Sequence, residues 1–304
     1  MDILEHNMND TIICGILNVT PDSFSDGGCW NTTEKAVTHA LKLIEDGAEM
    51  LDIGGESTRP GAKPVSASEE IKRIIPVIEA IKKKTNIPIS VDTWKSDVAL
   101  AALRAGADII NDITGFAGDK KMPEIIANTK CQVIIMANAV VFRQDEHSSK
   151  NFFLPKCEDY SHFFNEEERL HLCKLDIVQA LIQYLKRSID IAKNAGIDTN
   201  NISIDPGFGF GLTTQENIKL FKEISCFQTF HLPLFVGISR KRFVAEILQN
   251  AGFETAPHTV DGFKNRDYAS AFLGAKLATN GVRTLRVHSP YEQRFALTLE
   301  TCMH

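Results

Sequence analysis

Eight short apolar runs, rich in β-branched residues, alternate with helix-like segments along the 304 residues of the chain. This alternation predicts parallel strands joined by crossover helices, because neighbouring parallel strands need a long connection between them. The predicted strands cover residues 12–19, 50–54, 87–93, 108–113, 132–137, 202–205, 233–239 and 284–288. Eight such units favour a closed (β/α)8 TIM barrel, an α/β fold, over an open doubly wound sheet, which needs no eighth strand and usually has a glycine-rich first turn.

Helical patterns fill the segments between these strands. The predicted helices cover residues 33–46, 68–84, 96–105, 121–128, 175–195, 213–224, 240–251, 266–280 and a last segment from 290 onward. No linker or internal repeat is visible in the sequence, so residues 1–304 are expected to form one domain.

The segment from 138 to 171, after the fifth predicted strand, has no clear periodicity. A loop of this length is usually either functional or locally disordered. Its aromatic residues are too numerous for a simple linker: Phe152, Phe153, Tyr160, Phe163 and Phe164. Because the segment follows the carboxyl end of a barrel strand, we expect this insertion to be ordered in part and to lie over or beside the active face.

Charge and composition exclude several classes of function. The formal net charge is −6 and the isoelectric point is about 5.9, so the overall field would not attract a nucleic acid or an anionic membrane surface. The sequence has no charged-then-apolar leader and no apolar run of membrane-spanning length, which favours a cytoplasmic protein. Its seven cysteines lack CxxC spacing and are expected to be reduced thiols.

Polar side chains follow several of the predicted strands at the point where each strand ends. They come from LDIGGEST, SVDT, INDI and the later ISIDPGFGFG, and they are Asp52, Glu56, Asp92, Asn111, Asp112 and Asp205. Because the active face of such a barrel lies at the carboxyl ends of its strands, these residues are predicted to form one polar pocket. Strand-end Asp and Asn residues can also cap the following helix, and for Asp52 and Asp112 both interpretations stay open.

Seven motifs in one order resemble those of the dihydropteroate synthases. They are GILNVTPDSFSDGG at 15–28, DIGGESTRPGA at 52–62, SVDT at 90–93, INDI at 110–113, DPGFGFG at 205–211, GISRK at 237–241 and RVH at 286–288. The resemblance implies a TIM-barrel transferase, usually a homodimer, that joins 6-hydroxymethyl-7,8-dihydropterin pyrophosphate to p-aminobenzoate. It also implies release of pyrophosphate with the help of Mg²⁺, a place in folate biosynthesis and inhibition by sulfonamides.

A pterin ring presents donors and acceptors along one edge, so its site needs buried carboxylate and carboxamide partners. Asp92, Asn111 and Asp205, from different strand ends, can supply them. The resemblance implies three further pterin contacts, Asp52, Met136 and Lys241. It also implies catalytic roles for Asp92, Lys241, Arg286 and His288.

The leaving pyrophosphate needs cations or oriented dipoles around it. Arg286 and His288 lie two positions apart and should therefore share one face of the last strand, and Asn18 follows the first strand. The resemblance implies that all three bind the pyrophosphate and that Asn18 also meets the Mg²⁺.

The acceptor p-aminobenzoate is assigned by the resemblance to two glycine-flanked loops, residues 22–28 and the loop of Thr58, Arg59 and Pro60. Glycines at the ends of a loop allow it to close over a site and exclude water. Arg242 occupies the position of a family serine on the carboxylate side of the acceptor, where a guanidinium can bind a carboxylate through two parallel hydrogen bonds.

Three further positions depart from the family pattern. The histidine that commonly follows Met136 is replaced by Ala137, the lysine after GFG by Leu212, and the aspartate after RVH by Ser289. Two other functions therefore stay open. A catalytically silent pterin-binding relative would explain the substitutions, whereas a pterin-dependent methyltransferase would reuse the pterin contacts but would not need GGESTRPGA or the Arg-Val-His end.

Overall fold

A computed structural model of the chain describes residues 11–20, 29–57, 64–143 and 160–303, with side chains from residue 33 in the first helix. The strands are Ile12–Asn18 (β1), Met50–Gly54 (β2), Ile89–Asp92 (β3), Ile109–Asp112 (β4), Gln132–Met136 (β5), Ile202–Asp205 (β6), Leu234–Val236 (β7) and Val282–Val287 (β8). All of them run parallel in chain order, and β8 pairs with β1 to close the barrel. The predicted (β/α)8 architecture is therefore confirmed.

Helices connect these strands. Those in the described part of the chain are Cys29–Glu45 (α1), Ala67–Lys82 (α2), Ser96–Arg104 (α3), Met122–Thr129 (α4), Ala139–Phe142 (α5), Glu166–Lys174 (α6), Ile177–Asn194 (α7), Thr214–Lys222 (α8), Arg242–Asn250 (α9), Val260–Thr279 (α10) and Pro290–Met303 (α11). The largest error in the predicted bounds is the start of α10, which was expected at Arg266. The helix begins earlier because Thr259 caps it, accepting a hydrogen bond from the backbone N–H of Gly262.

Two apolar regions stabilise the barrel. Strand residues that point outward, such as Leu51, Val91 and Ile110, are fully buried beneath the helices. Residues that point inward form a separate small cluster, which we call the interior plug: Cys14, Met50, Ile109, Ile134 and Phe235. Side chains alternate between the two faces of a strand, so one strand supplies both regions.

The insertion is more regular than its sequence indicated. It contains α5 and α6, and α6 begins with a capping box in which Asn165 and Glu168 each accept a hydrogen bond from the other's backbone N–H. That Asn-x-x-Glu pattern is readable in the sequence. Residues 144–159, including Phe152 and Phe153, lie outside the described residues.

The aromatic residues at the described end of the insertion are buried, as expected for a segment that folds against something. The rings of Phe163 and Phe164 lie 5.0 and 5.5 Å from that of Tyr184 on α7, and Tyr160 is also buried. Tyr184 in turn donates a hydrogen bond to the carbonyl of Thr114, in the loop after β4. This end of the insertion is thus anchored on α7, and the position of the rest over the active face stays a prediction.

Two further expectations concern the cysteines and membrane-spanning segments. The described cysteines, Cys14, Cys131, Cys173, Cys226 and Cys302, are all free thiols. None of the helices in the described ranges has the length and apolar character needed to cross a membrane.

Candidate active site

The candidate site lies inside the barrel, one layer beyond the interior plug toward the carboxyl ends of the strands. Asp52 follows Met50 by two positions and Asn111 follows Ile109 by two, so each polar side chain points to the same interior as its apolar predecessor. Strand register brings Asp92 beside Asn111. Likewise, Met136 on β5 lies beside Asp205 on β6.

Arg286 holds two of the carboxylates together. Its Nε donates to Asp52 Oδ2 at 2.5 Å, and its Nη2 donates to Asp92 Oδ2 at 2.9 Å. The side-chain amide of Asn111 also donates to Asp52, at 3.3 Å. Asp52 is completely buried, and its carboxylate joins β2 to Asn111 on β4 and Arg286 on β8. The helix after β2 is capped by Ser66, so Asp52 does not serve as its cap.

The buried charges of this cluster shift one another's pKa values. Burial raises the pKa of Asp92 to about 7, although the adjacent Arg286 acts in the opposite direction. Burial alone would lower the pKa of Arg286, but Asp52 and Asp92 hold it above its usual value, so the guanidinium stays charged. Titratable groups with strongly shifted pKa values are typical of functional sites.

Asp205 and Lys241 form the opposite side of the cluster. Asp205 accepts a hydrogen bond from the backbone N–H of Gly207 at 2.7 Å, and burial raises its pKa to about 6. The Nζ atom of Lys241 lies 4.2 Å from the centroid of the Phe210 ring. Burial lowers the pKa of Lys241 to about 8, and Arg286 acts in the same direction.

The glycine-rich loop after β6 is shaped by two close approaches. A Cβ atom on Gly207, whose φ is +83°, would lie 1.9 Å from the carbonyl oxygen of Ala137. A Cβ atom on Gly209, whose φ is +78°, would lie 2.9 Å from Cδ of Lys241. Only glycine satisfies both the left-handed backbone and the contact at these positions, which lets the loop run beside the lysine.

Asn18 lies at the rim of the same cluster. Its Oδ1 atom and Oδ2 of Asp92 would lie 3.7 and 3.9 Å from a Cβ atom placed on Gly54. An amide oxygen and a carboxylate oxygen therefore both lie near Gly54. Among the described residues, no group of three or more His, Cys, Asp or Glu side chains could hold a metal by itself.

His288 lies one residue beyond the end of β8, where it meets a residue that the sequence analysis did not single out. Its Nδ1 atom lies 3.0 Å from the hydroxyl of Ser239, and its backbone N–H donates to the same oxygen at 3.1 Å. Phe210, beneath Lys241, was also missed. Ser239 stands two positions before Lys241 in GISRK, and Phe210 stands in DPGFGFG, so membership of these motifs was the available signal.

Two residues predicted for the polar pocket belong elsewhere. Asp112 follows Asn111 directly and therefore points away from the interior, and it accepts hydrogen bonds from the backbone of Thr114 and Phe116 and from the Thr114 hydroxyl. It shapes the turn directly after β4 and does not cap the next helix, because α4 begins after Lys121. Neither of the two interpretations left open for Asp112 is therefore confirmed. Burial raises the pKa of Asp112 to about 6.

Glu56 is the second such residue. It lies beyond the end of β2, where it accepts hydrogen bonds from Lys95 Nζ at 2.9 Å, Trp94 Nε1 at 3.1 Å and the backbone N–H of Val65 at 2.7 Å. Lys95 also pairs with Glu70 at 2.5 Å. Glu56 thus fastens the two described ends of the loop after β2 and does not line the polar cluster.

The acceptor side of the predicted site is described only in part. Thr58, Arg59 and Pro60, and the loop 22–28, lie outside the described residues. Arg242 is the first residue of α9 and is exposed.

The three other departures, Ala137, Leu212 and Ser289, have described surroundings. Ala137 is fully buried, and Asn138 after it caps α5 and donates to the carbonyl of Ile113 at 3.0 Å. Leu212 is buried, with 2% of its surface exposed. The hydroxyl of Ser289 contacts the carboxylate of Glu292 within the first turn of α11. None of these side chains removes a member of the polar cluster.

Comparison with known proteins identifies the family. The family model described as pterin binding enzyme matches residues 14–288. A dihydropteroate synthase of Streptococcus pyogenes is 41% identical over 276 residues, covering 91% of this chain and 89% of that protein. A Xanthomonas albilineans dihydropteroate synthase solved with 4-aminobenzoic acid matches at a TM-score of 0.78 and 35% identity, covering 97% of this chain and 94% of that one.

The same Xanthomonas albilineans enzyme in complex with 7,8-dihydropteroate matches at a TM-score of 0.77 and 32% identity, over 97% of this chain and 94% of that chain. Sequence, fold and the charged cluster at the carboxyl end of the barrel agree with one another. The chain therefore belongs to the dihydropteroate synthase family of pterin-binding enzymes.

Proposed function

We propose that the protein condenses 6-hydroxymethyl-7,8-dihydropterin pyrophosphate with p-aminobenzoate to give 7,8-dihydropteroate and pyrophosphate. It is a transferase of folate biosynthesis. The observation that carries this proposal is the intact charged cluster of Asp52, Asp92, Asp205, Lys241 and Arg286 inside the barrel. Relatives of this chain bind 4-aminobenzoic acid or 7,8-dihydropteroate, which contains both halves of the joined product.

The pterin would lie between Asp92, Asn111 and Asp205, with Met136 and Lys241 beside it. An ionised carboxylate accepts hydrogen bonds only, so Asp92 and Asp205 suit the N–H donors on the ring edge. Asn111 offers both a donor and an acceptor. Asp52 would also contact the pterin, and its hydrogen bonds to Arg286 and Asn111 would orient those groups.

The pyrophosphate would lie against Arg286, His288 and Asn18. In the reaction the amine nitrogen of p-aminobenzoate attacks the methylene carbon, the C–O bond to pyrophosphate breaks with its electron pair on oxygen, and the nitrogen loses a proton. Negative charge grows on the leaving group, so a fixed guanidinium stabilises the transition state more than the ground state. The contact of Ser239 with Nδ1 of His288 would orient the imidazole for binding the pyrophosphate.

The residues around Asn18 are suited to Mg²⁺. This ion usually takes one or two protein oxygens and completes its shell with water and substrate phosphate, so it does not need a cluster of three protein carboxylates. Asn18 would supply a protein oxygen, and Oδ2 of Asp92 lies near the same part of the site, beside Gly54. When bound, Mg²⁺ would neutralise part of the charge on the pyrophosphate.

The acceptor would be held by the loop of Thr58, Arg59 and Pro60 and by Arg242. The position of Arg242 at the start of α9, directly after Lys241, supports a carboxylate contact at the mouth of the barrel. Loop 22–28 would complete the acceptor side. Closure of these loops would exclude water from the reacting carbon.

A homodimer is proposed from exposed apolar side chains on two adjacent helices. Tyr268 and Phe272 on α10 are 57% and 61% exposed, and Tyr291, Phe295 and Leu299 on α11 are 57%, 60% and 53% exposed. Their spacing of four residues puts each set on one face of its helix, and the two helices pack together. Such a patch is typical of an interface. Phe295→Glu should convert the dimer to a monomer in analytical ultracentrifugation.

We also propose a cytoplasmic location, as for a biosynthetic enzyme with small, soluble substrates.

The decisive experiment is an assay of purified protein with the pterin pyrophosphate, p-aminobenzoate and Mg²⁺, following both pyrophosphate release and formation of dihydropteroate. Synthase activity predicts both products in equal amounts. Pterin binding by calorimetry without turnover would instead support the silent relative. Binding of the pterin with neither product, but with methyl transfer from a methylated pterin, would support the methyltransferase.

A further inference from the structure

The turn between β7 and α9 has an unusual backbone at Arg240, whose φ is +55°. Non-glycine residues rarely adopt this left-handed conformation, so something must hold it. The residues on either side both face the active site: Ser239 contacts His288, and Lys241 lies over the ring of Phe210. Arg240 therefore joins two residues whose side chains both reach the site.

Helix α10 supplies the contacts that hold the turn. Arg240 donates to both oxygens of Asp267, from Nε at 2.6 Å and from Nη2 at 2.7 Å, and its backbone N–H donates to the hydroxyl of Ser270 at 3.0 Å. The guanidinium also lies 4.8 Å from the ring of Phe263. The side chains of Arg240 and Asp267 are 26% and 11% exposed, so the pair is largely shielded from water. A bidentate pair of this kind fixes geometry as well as charge.

We propose that Arg240 and Asp267 are positioning residues for the reaction, which hold the turn so that Lys241 points into the pterin site. The inference rests on the proposed role of Lys241 as a pterin contact. Neither residue touches the charged cluster in any contact described for it. Without the ion pair, the backbone of Arg240 is expected to relax toward negative φ, which would redirect the side chain that follows it.

The loop after β6 restricts the directions that the Lys241 side chain can take. Gly209 leaves only a narrow path for the Lys241 side chain, since a Cβ atom there would lie 2.9 Å from its Cδ. Gly209 is itself held by a hydrogen bond from its backbone N–H to Asn217 on α8. The Lys241 side chain thus passes beside the fixed backbone of Gly209. A change in the turn would therefore move the amino group away from its place over Phe210.

A double-mutant cycle tests the inference with pterin affinity as the readout, measured by calorimetry without turnover. Asp267→Asn keeps the shape of the side chain and removes its charge. We expect pterin affinity to fall about tenfold, within the range of coupling seen between residues of one network. Lys241→Met should weaken pterin binding on its own, and adding Asp267→Asn to it should cause no further loss. The matched control is Asp261→Asn, an exposed carboxylate in the first turn of the same helix.

The outcomes separate this inference from the proposed function. If the unaltered protein binds no pterin, the proposed function fails. If it binds pterin and Lys241→Met weakens binding, but Asp267→Asn does not, the positioning role is wrong. Independent, additive losses would also overturn it, because Asp267 would then act by another route. Should Asp267→Asn fail to fold, Arg240→Gln removes the charge from the more exposed partner and should give the same tenfold loss and the same lack of additivity.

Discussion

The interior plug and the charged cluster occupy the same barrel and are built by the same strands, two residues apart. Met50 and Ile109 belong to the plug, and Asp52 and Asn111 belong to the polar layer above them. Two residues along a strand is one step on the same face, about 7 Å. This single step divides stability from function: below it apolar contacts stabilise the fold, and above it buried charges are held for a substrate.

The largest effect should come from the plug. Phe235→Ala removes a side chain that is 2% exposed within a small cluster, so the free energy of unfolding should fall by about 3 to 5 kcal/mol. Chemical denaturation measures the loss. At a temperature where the variant is folded, its pterin affinity should match that of the parent. A folded variant that had lost pterin affinity would show that the two layers are not independent.

The next effect should come from the polar layer and appear in turnover. Arg286→Lys keeps a positive charge but cannot donate to Asp52 and Asp92 through one rigid fork. We expect the rate of pyrophosphate release to fall about 100-fold, the low end of the cost of removing a preorganised charge stabiliser. Arg283→Lys, the same change at the opposite parity of the same strand, is the control. If both variants released pyrophosphate at the same rate, Arg286 would have no specific role in the reaction.

Asp205→Asn should separate binding from folding. The carboxylate would lose its acceptor-only character, and pterin affinity should weaken by about 1.5 to 3 kcal/mol, the usual range for a hydrogen bond to a charged group. Asp92→Asn should behave in the same direction. Asp190→Asn, on the exposed face of α7, provides the matched control. Calorimetry gives the affinities, and unchanged affinity for Asp205→Asn would end its assignment as a pterin contact.

The ionisation of Asp205 should change stability and pterin affinity in opposite directions as the pH rises. The folded pKa of Asp205 is about 6, above the value of about 3.9 expected in the unfolded chain. A raised carboxyl pKa means that the folded state binds the proton more tightly, so the contribution of Asp205 to stability falls as pH rises from about 4 to 6. Pterin affinity should change in the opposite sense and increase with pH over the range near 6, because binding uses the ionised form.

Asp205→Asn should therefore flatten the pH dependence of pterin affinity near pH 6, apart from the part that Asp92 contributes near its pKa of about 7. Titration calorimetry at several pH values between 5 and 8 measures it. Affinity that increases as the pH falls would contradict recognition by ionised carboxylates. Phe235→Ala, which removes no charge, should leave the profile unchanged.

The smallest effect is expected at the mouth of the barrel. Arg242→Ser should raise the sensitivity to sulfonamides a few-fold relative to p-aminobenzoate, because a guanidinium pairs better with a planar carboxylate than with a tetrahedral sulfonyl group. The ratio of the sulfonamide inhibition constant to the p-aminobenzoate KM decides the matter. An identical ratio in both forms would mean that the exposed side chain of Arg242 does not meet the acceptor.

Much of this molecule was predictable from local patterns. Eight apolar runs with intervening helical periods are enough to indicate a closed parallel barrel, because burial on both faces of each strand leaves a continuous apolar sequence. Co-linear motifs placed Asp92, Asn111, Asp205 and Arg286 near strand ends, and strand register then brings Asp92 beside Asn111. The acceptor residues Thr58, Arg59 and Pro60 remain predictions from those motifs.

Other features depended on contacts between distant segments. Asp112 and Glu56 are carboxylates like Asp52 and Asp92, yet Asp112 points outward by parity and Glu56 pairs with Lys95. The two partners of Arg286 lie 234 and 194 residues away along the chain. Sequence thus determined the barrel, the family and the set of residues able to perform the chemistry. Only the tertiary structure decided which of these charges meet, because pairing energy depends on distance and burial, which no local pattern specifies.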